Sequence, residues 1–230
     1  MSKVSFPLGK SLRRAFCIKY AGPYLIIPVL FVASLVIESW LQDSGVIPYI
    51  PVKKRSLYSL WRIVMLTCLV GTPVGTLFMI ESWKQGLEKG ASFAAHYLSS
   101  VLAVLILTTT ALTLAAFGIL APLGVSVETI SLLLPARCLF AVIWSVAAAS
   151  LCSSITSGPG GAILSLGLFS LALLPGLSGS SMSWWFIAPL GDMATSVDSL
   201  SSGWNSTLAV TAHSVAYLLG GAYVLKRTIR

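Results

Sequence analysis

From Tyr20 to Ile37 the chain runs without a charged residue, and it does so again from Ile63 to Ile80; each stretch is 18 residues long and is closed by charge on both sides. As an α-helix, 18 residues reach about 27 Å, close to the ~30 Å hydrocarbon core of a bilayer. Only a helix or a closed barrel satisfies its backbone polar groups there, and continuous apolar runs of this length read as helices. Composition agrees. Hydrophobic residues make up 56 % of 230 positions and charged residues 10 %, against about 25 % charged in soluble domains.

Longer uncharged stretches hold the remaining spans. Gly90 to Val127 covers 38 residues and predicts one long helix. Cys138 to Gly191 covers 54, interrupted by the turn-forming run Ser153-Ser-Ile-Thr-Ser-Gly-Pro-Gly-Gly161, which predicts spans near 132–152 and 161–177. A last run, Thr207 to Leu225, ends at Lys226-Arg227. The expected fold class is therefore an all-α membrane protein with six transmembrane helices. Residues 1–20 form a cytoplasmic N-terminal segment and 21–230 a single transmembrane domain. The N-terminal apolar run is too long for a signal-peptide core and reads as the first span.

The net charge of +8 does not point to nucleic acid, because the basic residues flank apolar runs instead of clustering on a folded face. With the N-terminus inside, ten Lys/Arg fall on the cytoplasmic side and five outside, which favours cytoplasmic termini. Lys53-Lys54-Arg55 on the outer side runs against that rule. Cys17, Cys68, Cys138 and Cys152 have no metal or disulfide spacing, and three of them read as small apolar residues within spans.

Three segments stand apart from the plain spans. Residues 9–20 pattern as an amphipathic helix, with Leu12, Ala15 and Phe16 on one face and Lys10, Arg13, Arg14 and Cys17 on the other; such a helix lies at the inner surface against membrane lipid. Glu81 to Gly90 reads as a charged inner loop with helix-supporting pairs Glu81/Lys84 and Lys84/Glu88. Ser178 to Asn205 is too polar to span, yet Trp184, Trp185, Phe186 and Pro189 suit short re-entrant or interfacial outer helices.

Together these features resemble the membrane subunit of type-2 ABC transporters, the ABC-2 permease family. Glu81…Gly86-Leu87-Glu88 is similar to a shortened form of the acidic stretch after that family's second span, without its Thr and its Leu-Leu-x-x-Pro continuation. Trp185-Phe-Ile-Ala-Pro-Leu-Gly-Asp192 through the basic tail resembles the family's last outer segment and sixth span. The resemblance implies an exporting permease in the bacterial cytoplasmic membrane. It implies a coupling loop at Glu81, Lys84, Gly86, Leu87, Glu88 and Lys89, and an outer gate at Trp184, Trp185, Phe186 and Pro189. A separate ABC ATPase subunit would bind ATP and Mg, and a second permease subunit would complete a homo- or heterodimer. The chain has no phosphate-binding loop of its own, so neither cofactor nor catalytic residue is expected on it.

Two other readings carry weight. Gly176-Leu177-Ser178-Gly179 with His213 resembles pieces of rhomboid intramembrane serine proteases, but only 34 residues separate Ser178 from His213 and Ser178 follows the fifth apolar run, so no histidine is expected beside it. A non-catalytic scaffold subunit needs no particular chemistry. His213 is an ionisable residue inside a span and a functional candidate by default; its plainer reading is a neutral imidazole bonded to a neighbouring helix. Glu38 with Arg62, and Glu128 with Arg137, are possible boundary pairs.

Overall fold

The computed structural model describes residues 8–46, 52–88, 92–122, 133–156, 158–173, 190 and 204–228. Among them the regular elements are helical and no strand occurs. Helix α1 (Leu8–Ala15) and the single turn α2 (Ile18–Ala21) lead through a 3-10 segment (Gly22–Ile26) into α3 (Ile27–Asp43). Then follow α4 (Val52–Glu88), α5 (Phe93–Leu120), α6 (Leu133–Ile155), α7 (Pro159–Leu173) and α8 (Trp204–Thr228).

Five segments are long and apolar enough to cross a membrane: Ile18–Asp43, Tyr58–Gln85, Phe93–Leu120, Arg137–Ile155 and Thr207–Arg227. They match five of the six runs expected from sequence. The sixth, α7, is described over 15 residues, about 22 Å of helix and short of the ~30 Å core; residues 174–177 of its expected span lie outside the described residues. The α6–α7 break falls where the turn signal stands. Gly158 takes φ +82°, a left-handed conformation that glycine adopts without strain, and Pro159 opens α7, where its missing N–H costs nothing.

Helices α4 and α6 form the centre. In each, 72 % of the apolar window is buried, against 17 to 28 % in the first span, α5 and α8. The outer faces of those three are apolar and exposed, with Leu25 and Val29, Leu114 and Phe117, and Leu208 and Leu219 pointing away from the bundle. In water this would be unfavourable, whereas lipid solvates such faces at no cost.

Small residues allow the close approach of α4 to its neighbours. A Cβ on Gly75 would stand 2.7 Å from Val104 Cγ1 of α5 and 3.3 Å from Ala149 of α6. One on Gly71 would meet Thr108 Cγ2 at 3.0 Å. The Gly71-xxx-Gly75 pair therefore serves helix packing.

Hydroxyls join the helices where the apolar contacts leave polar atoms inside. Thr72 and Ser145 bridge α4 and α6 at 2.7 Å, Ser82 and Ser100 bridge α4 and α5 at 2.9 Å, and Tyr24 meets Thr108 at 2.9 Å. The Tyr97 hydroxyl on α5 lies 2.7 Å from Ser150 Oγ of α6 and donates at 2.7 Å to the Leu218 carbonyl of α8. Pro73 stands within α4, and the Thr72 and Thr76 hydroxyls around it donate to the carbonyls of Cys68 and Thr72. Buried Cys68, Cys138 and Cys152 pack as small apolar groups, while Cys17 is exposed.

Two expectations change. The amphipathic segment 9–20 is not one helix: α1 stops at Ala15, and Cys17 is extended before α2 begins. Leu12 and Ala15 do turn inward, but Phe16 ends up exposed and Ser11 is buried instead, 3.3 Å from Ser99 Oγ. Residues 81–88, expected as a loop, continue α4 without a break. Glu, Lys, Gln and Leu make up most of that stretch, Gly86 is its one poor helix former, and no proline interrupts it.

Candidate functional site: the Glu81 cluster

At 37 residues, α4 is about 55 Å long, so it overshoots a ~30 Å hydrocarbon core at both ends. Glu81 sits where the apolar part ends. Its carboxylate gathers donors from the N-terminal helices: Arg14 Nη2 at 3.1 Å and the Tyr20 hydroxyl at 2.6 Å on Oε2, and the Lys19 ammonium on Oε1. Arg14 also donates from Nη1 to Gln85 Oε1 at 2.7 Å, one turn further along α4.

Aromatic contacts back the cluster. The Arg14 guanidinium lies 5.9 Å from the centre of the Phe78 ring, and Tyr20 meets that ring edge-on at 5.1 Å. Phe78 and Tyr20 are buried, whereas Arg14 and Glu81 are only partly covered. Charge-assisted hydrogen bonds in such a half-covered site are stronger than those of fully solvated pairs.

The break at Cys17 makes the convergence possible. Continued as one helix, Lys19 and Tyr20 would project about 140° and 240° around the axis from Arg14. With the chain extended at Cys17, all three reach one carboxylate. Both carboxylate oxygens are taken by α1–α2, so the Glu81/Lys84 pair expected from spacing is not what holds Glu81. Lys84 is exposed on the same turn.

The opposite end of the same helix pair is pinned too. Arg62 of α4 forms an ion pair with Glu38 of α3, as the sequence suggested, and Gln42 Nε2 donates to Glu38 Oε1 at 3.2 Å. Lys19 to Glu38 and Arg62 to Glu81 are each 19 positions apart, the second about 28 Å along α4 and the first running through α2, the 3-10 segment and α3. Two antiparallel segments of equal residue count thus carry complementary charges at both ends.

Of the other residues singled out, Gly86, Leu87 and Glu88 form the end of α4, and no side-chain geometry is described for them. Lys89, Trp184, Trp185, Phe186, Pro189, Glu128 and Ser178 lie outside the described residues. His213 is half-buried on α8 and stacks on Tyr217, ring centres 5.6 Å apart, with Tyr217 in turn against Trp144 of α6. His96 is tied to α4 by a 3.1 Å contact between Nε2 and the Ser82 carbonyl. Among the described residues no three His, Cys, Asp or Glu side chains gather as a metal site. Compared with known proteins, the chain matches no family model, no curated protein and no solved structure.

Sequence reasoning missed the Glu81 cluster because it paired Glu81 only with Lys84, a near neighbour on the same helix. The signal was present in the equal spacing: a basic-to-acidic run of 19 positions followed by another of the same length and sense. Folded back antiparallel, the two runs put opposite charges together at each end.

Proposed function

We propose that this chain is the permease subunit of an ABC-2 type exporter. In this reading it has six spans and lies in the bacterial cytoplasmic membrane with both termini inside. It pairs with a second, identical or related permease, and a separate ATPase chain carrying ATP and Mg drives it. The observation that supports this reading is the Glu81 cluster. It fastens the amphipathic N-terminal helices to a rigid prolongation of the second span, on the side where the basic residues accumulate.

A partner pressing on residues 84–88 would act on a continuous helix, not on a slack loop. The push would travel along α4 into the centre of the bundle, and through Glu81 to α1 and the first span. A change in α4–α6 packing could then open a path alternately to either side. The apolar surfaces are compatible with a lipid-like or amphiphilic cargo.

Glu81 is committed within the chain, so reversing its charge would disrupt the protein before it reached any partner. Lys84→Glu combined with Glu88→Lys leaves the cluster in place and reverses the charge order on the projecting end. The parent, purified in mild detergent, should co-elute with an ATP-hydrolysing chain, and the double variant at equal expression should lose most of it, since like charges at a docked interface cost several kcal/mol. Absence of any ATPase from the parent preparation would favour a scaffold. Loss of a membrane proteolytic activity in Ser178→Ala would favour the protease.

A further inference from the structure

The other end of the hairpin holds a polar pocket between α3 and α4, and transport coupling makes no use of it. Glu38, Ser39 and Gln42 line it from α3, and Tyr58, Ser59 and Arg62 from α4. Leu35 closes its inner edge. Val36, next to Leu35, and Val32, one turn further in, are 64 % and 59 % exposed, so an apolar face leads away from the pocket along α3. Along α4 the pocket is about 28 Å from Glu81, a separation that places it at headgroup depth when Glu81 marks the other boundary.

The charges in the pocket are opposite and adjacent. Their pairing uses one guanidinium nitrogen and one carboxylate oxygen, with Gln42 on the other carboxylate oxygen. A guanidinium carries five N–H donors and a carboxylate about four acceptor positions, so both groups have further capacity. A ligand that matches them brings an anionic oxygen for Arg62 and a cationic N–H donor for Glu38 within one short group, and an apolar tail for α3. A phosphate monoanion without an amine would compete with Glu38 for Arg62 and bring no cation to offset the carboxylate it displaces. A quaternary ammonium would offer no N–H to Glu38.

We propose that this pocket binds the headgroup of a phosphatidylethanolamine-type lipid, with its phosphate on Arg62, its primary ammonium on Glu38 and its acyl chains along the exposed face of α3. The test uses the full chain in nanodiscs of equal parts phosphatidylethanolamine, phosphatidylcholine and phosphatidylglycerol. After transfer to detergent and washing, the lipid retained is counted by mass spectrometry.

The expected result is several-fold enrichment of phosphatidylethanolamine on the parent, abolished in Arg62→Gln and in Glu38→Gln. Ser39→Leu fills the pocket while leaving the ion pair, so it should abolish enrichment in a protein that remains monodisperse. Equal retention of the three lipids, preference for phosphatidylglycerol, or undiminished enrichment in Ser39→Leu would each overturn the proposal. Excess soluble phosphoethanolamine should fail to displace the lipid. Displacement by it would assign the pocket to a free metabolite and overturn the lipid reading.

Discussion

Arg14 and Glu81 stand 67 positions apart in the chain, and their side chains meet at 3.1 Å. This contact makes the N-terminal helices part of the bundle. Lys19 and Tyr20 share the same carboxylate, so Glu81 holds three partners while Arg14 holds two side chains, Glu81 and Gln85.

That asymmetry predicts unequal costs. Glu81→Gln should lower the stability of the purified protein more than Arg14→Gln does. A double-mutant cycle between them should give a coupling of about 1 kcal/mol, the upper end for partly solvated pairs. Thermal unfolding in detergent, with each variant checked for monodispersity, measures it. Additive single effects would show that Arg14 and Glu81 do not act together.

Packing at α4 predicts a graded glycine series. Gly75→Ala places a Cβ 2.7 Å from Val104 Cγ1 and should cost about 1–3 kcal/mol, the range for overpacked cores. Val104→Ala in the same chain should recover much of the loss. Gly221→Ala meets Ser150 Oγ at 3.0 Å, the Ser150 carbonyl at 3.2 Å and the Leu151 nitrogen at 3.3 Å; the last two are backbone atoms that yield less readily than a side chain, so Ser150→Ala should rescue it only in part. Gly118→Ala has nothing within 4 Å and should be neutral or slightly stabilising, since alanine is the better helix former. Chemical unfolding curves for the set give the order, and an unstable Gly118→Ala would contradict it.

Tyr97→Phe removes a hydroxyl that joins α5 to both α6 and α8. Hydrogen bonds between membrane helices average about 0.6 kcal/mol, up to about 1.7. With two bonds lost, about 1–2 kcal/mol is expected, and Ser150→Ala, which removes one of two bonds of equal length, should account for about half of it. Urea or SDS titration of the two variants checks the ratio.

Topology supplies the fourth prediction. Single cysteines in a background lacking the four native ones should label from the cytoplasm at Gly158 and from outside at Gly45 and Ser178, and a reporter at Arg230 should be cytoplasmic. Labelling of Ser178→Cys from the cytoplasm would mean that α7 turns back within the membrane and that only five helices cross.

Much of the architecture was readable in the sequence. Five of the apolar runs became long helices, because a bilayer demands length and apolarity that few other structures produce. The α6–α7 break followed from Gly158-Pro159, where both residues favour a turn for reasons internal to the backbone. The Glu38–Arg62 pair was visible as opposite charges at matching ends of successive runs.

What the sequence by itself determined was where the five long apolar helices run, since that depends on the length and apolarity of a segment and on the solvent around it. Tertiary structure decided what those helices do to one another. The end of α4 looked like a loop because charge marks the membrane boundary, yet charge does not stop a helix, and residues 81–88 continue it. The break at Cys17 follows no local signal of comparable strength. It is the conformation in which Arg14, Lys19 and Tyr20 all reach Glu81, and a carboxylate 67 positions beyond Arg14 does not enter any local reading of residues 9–20.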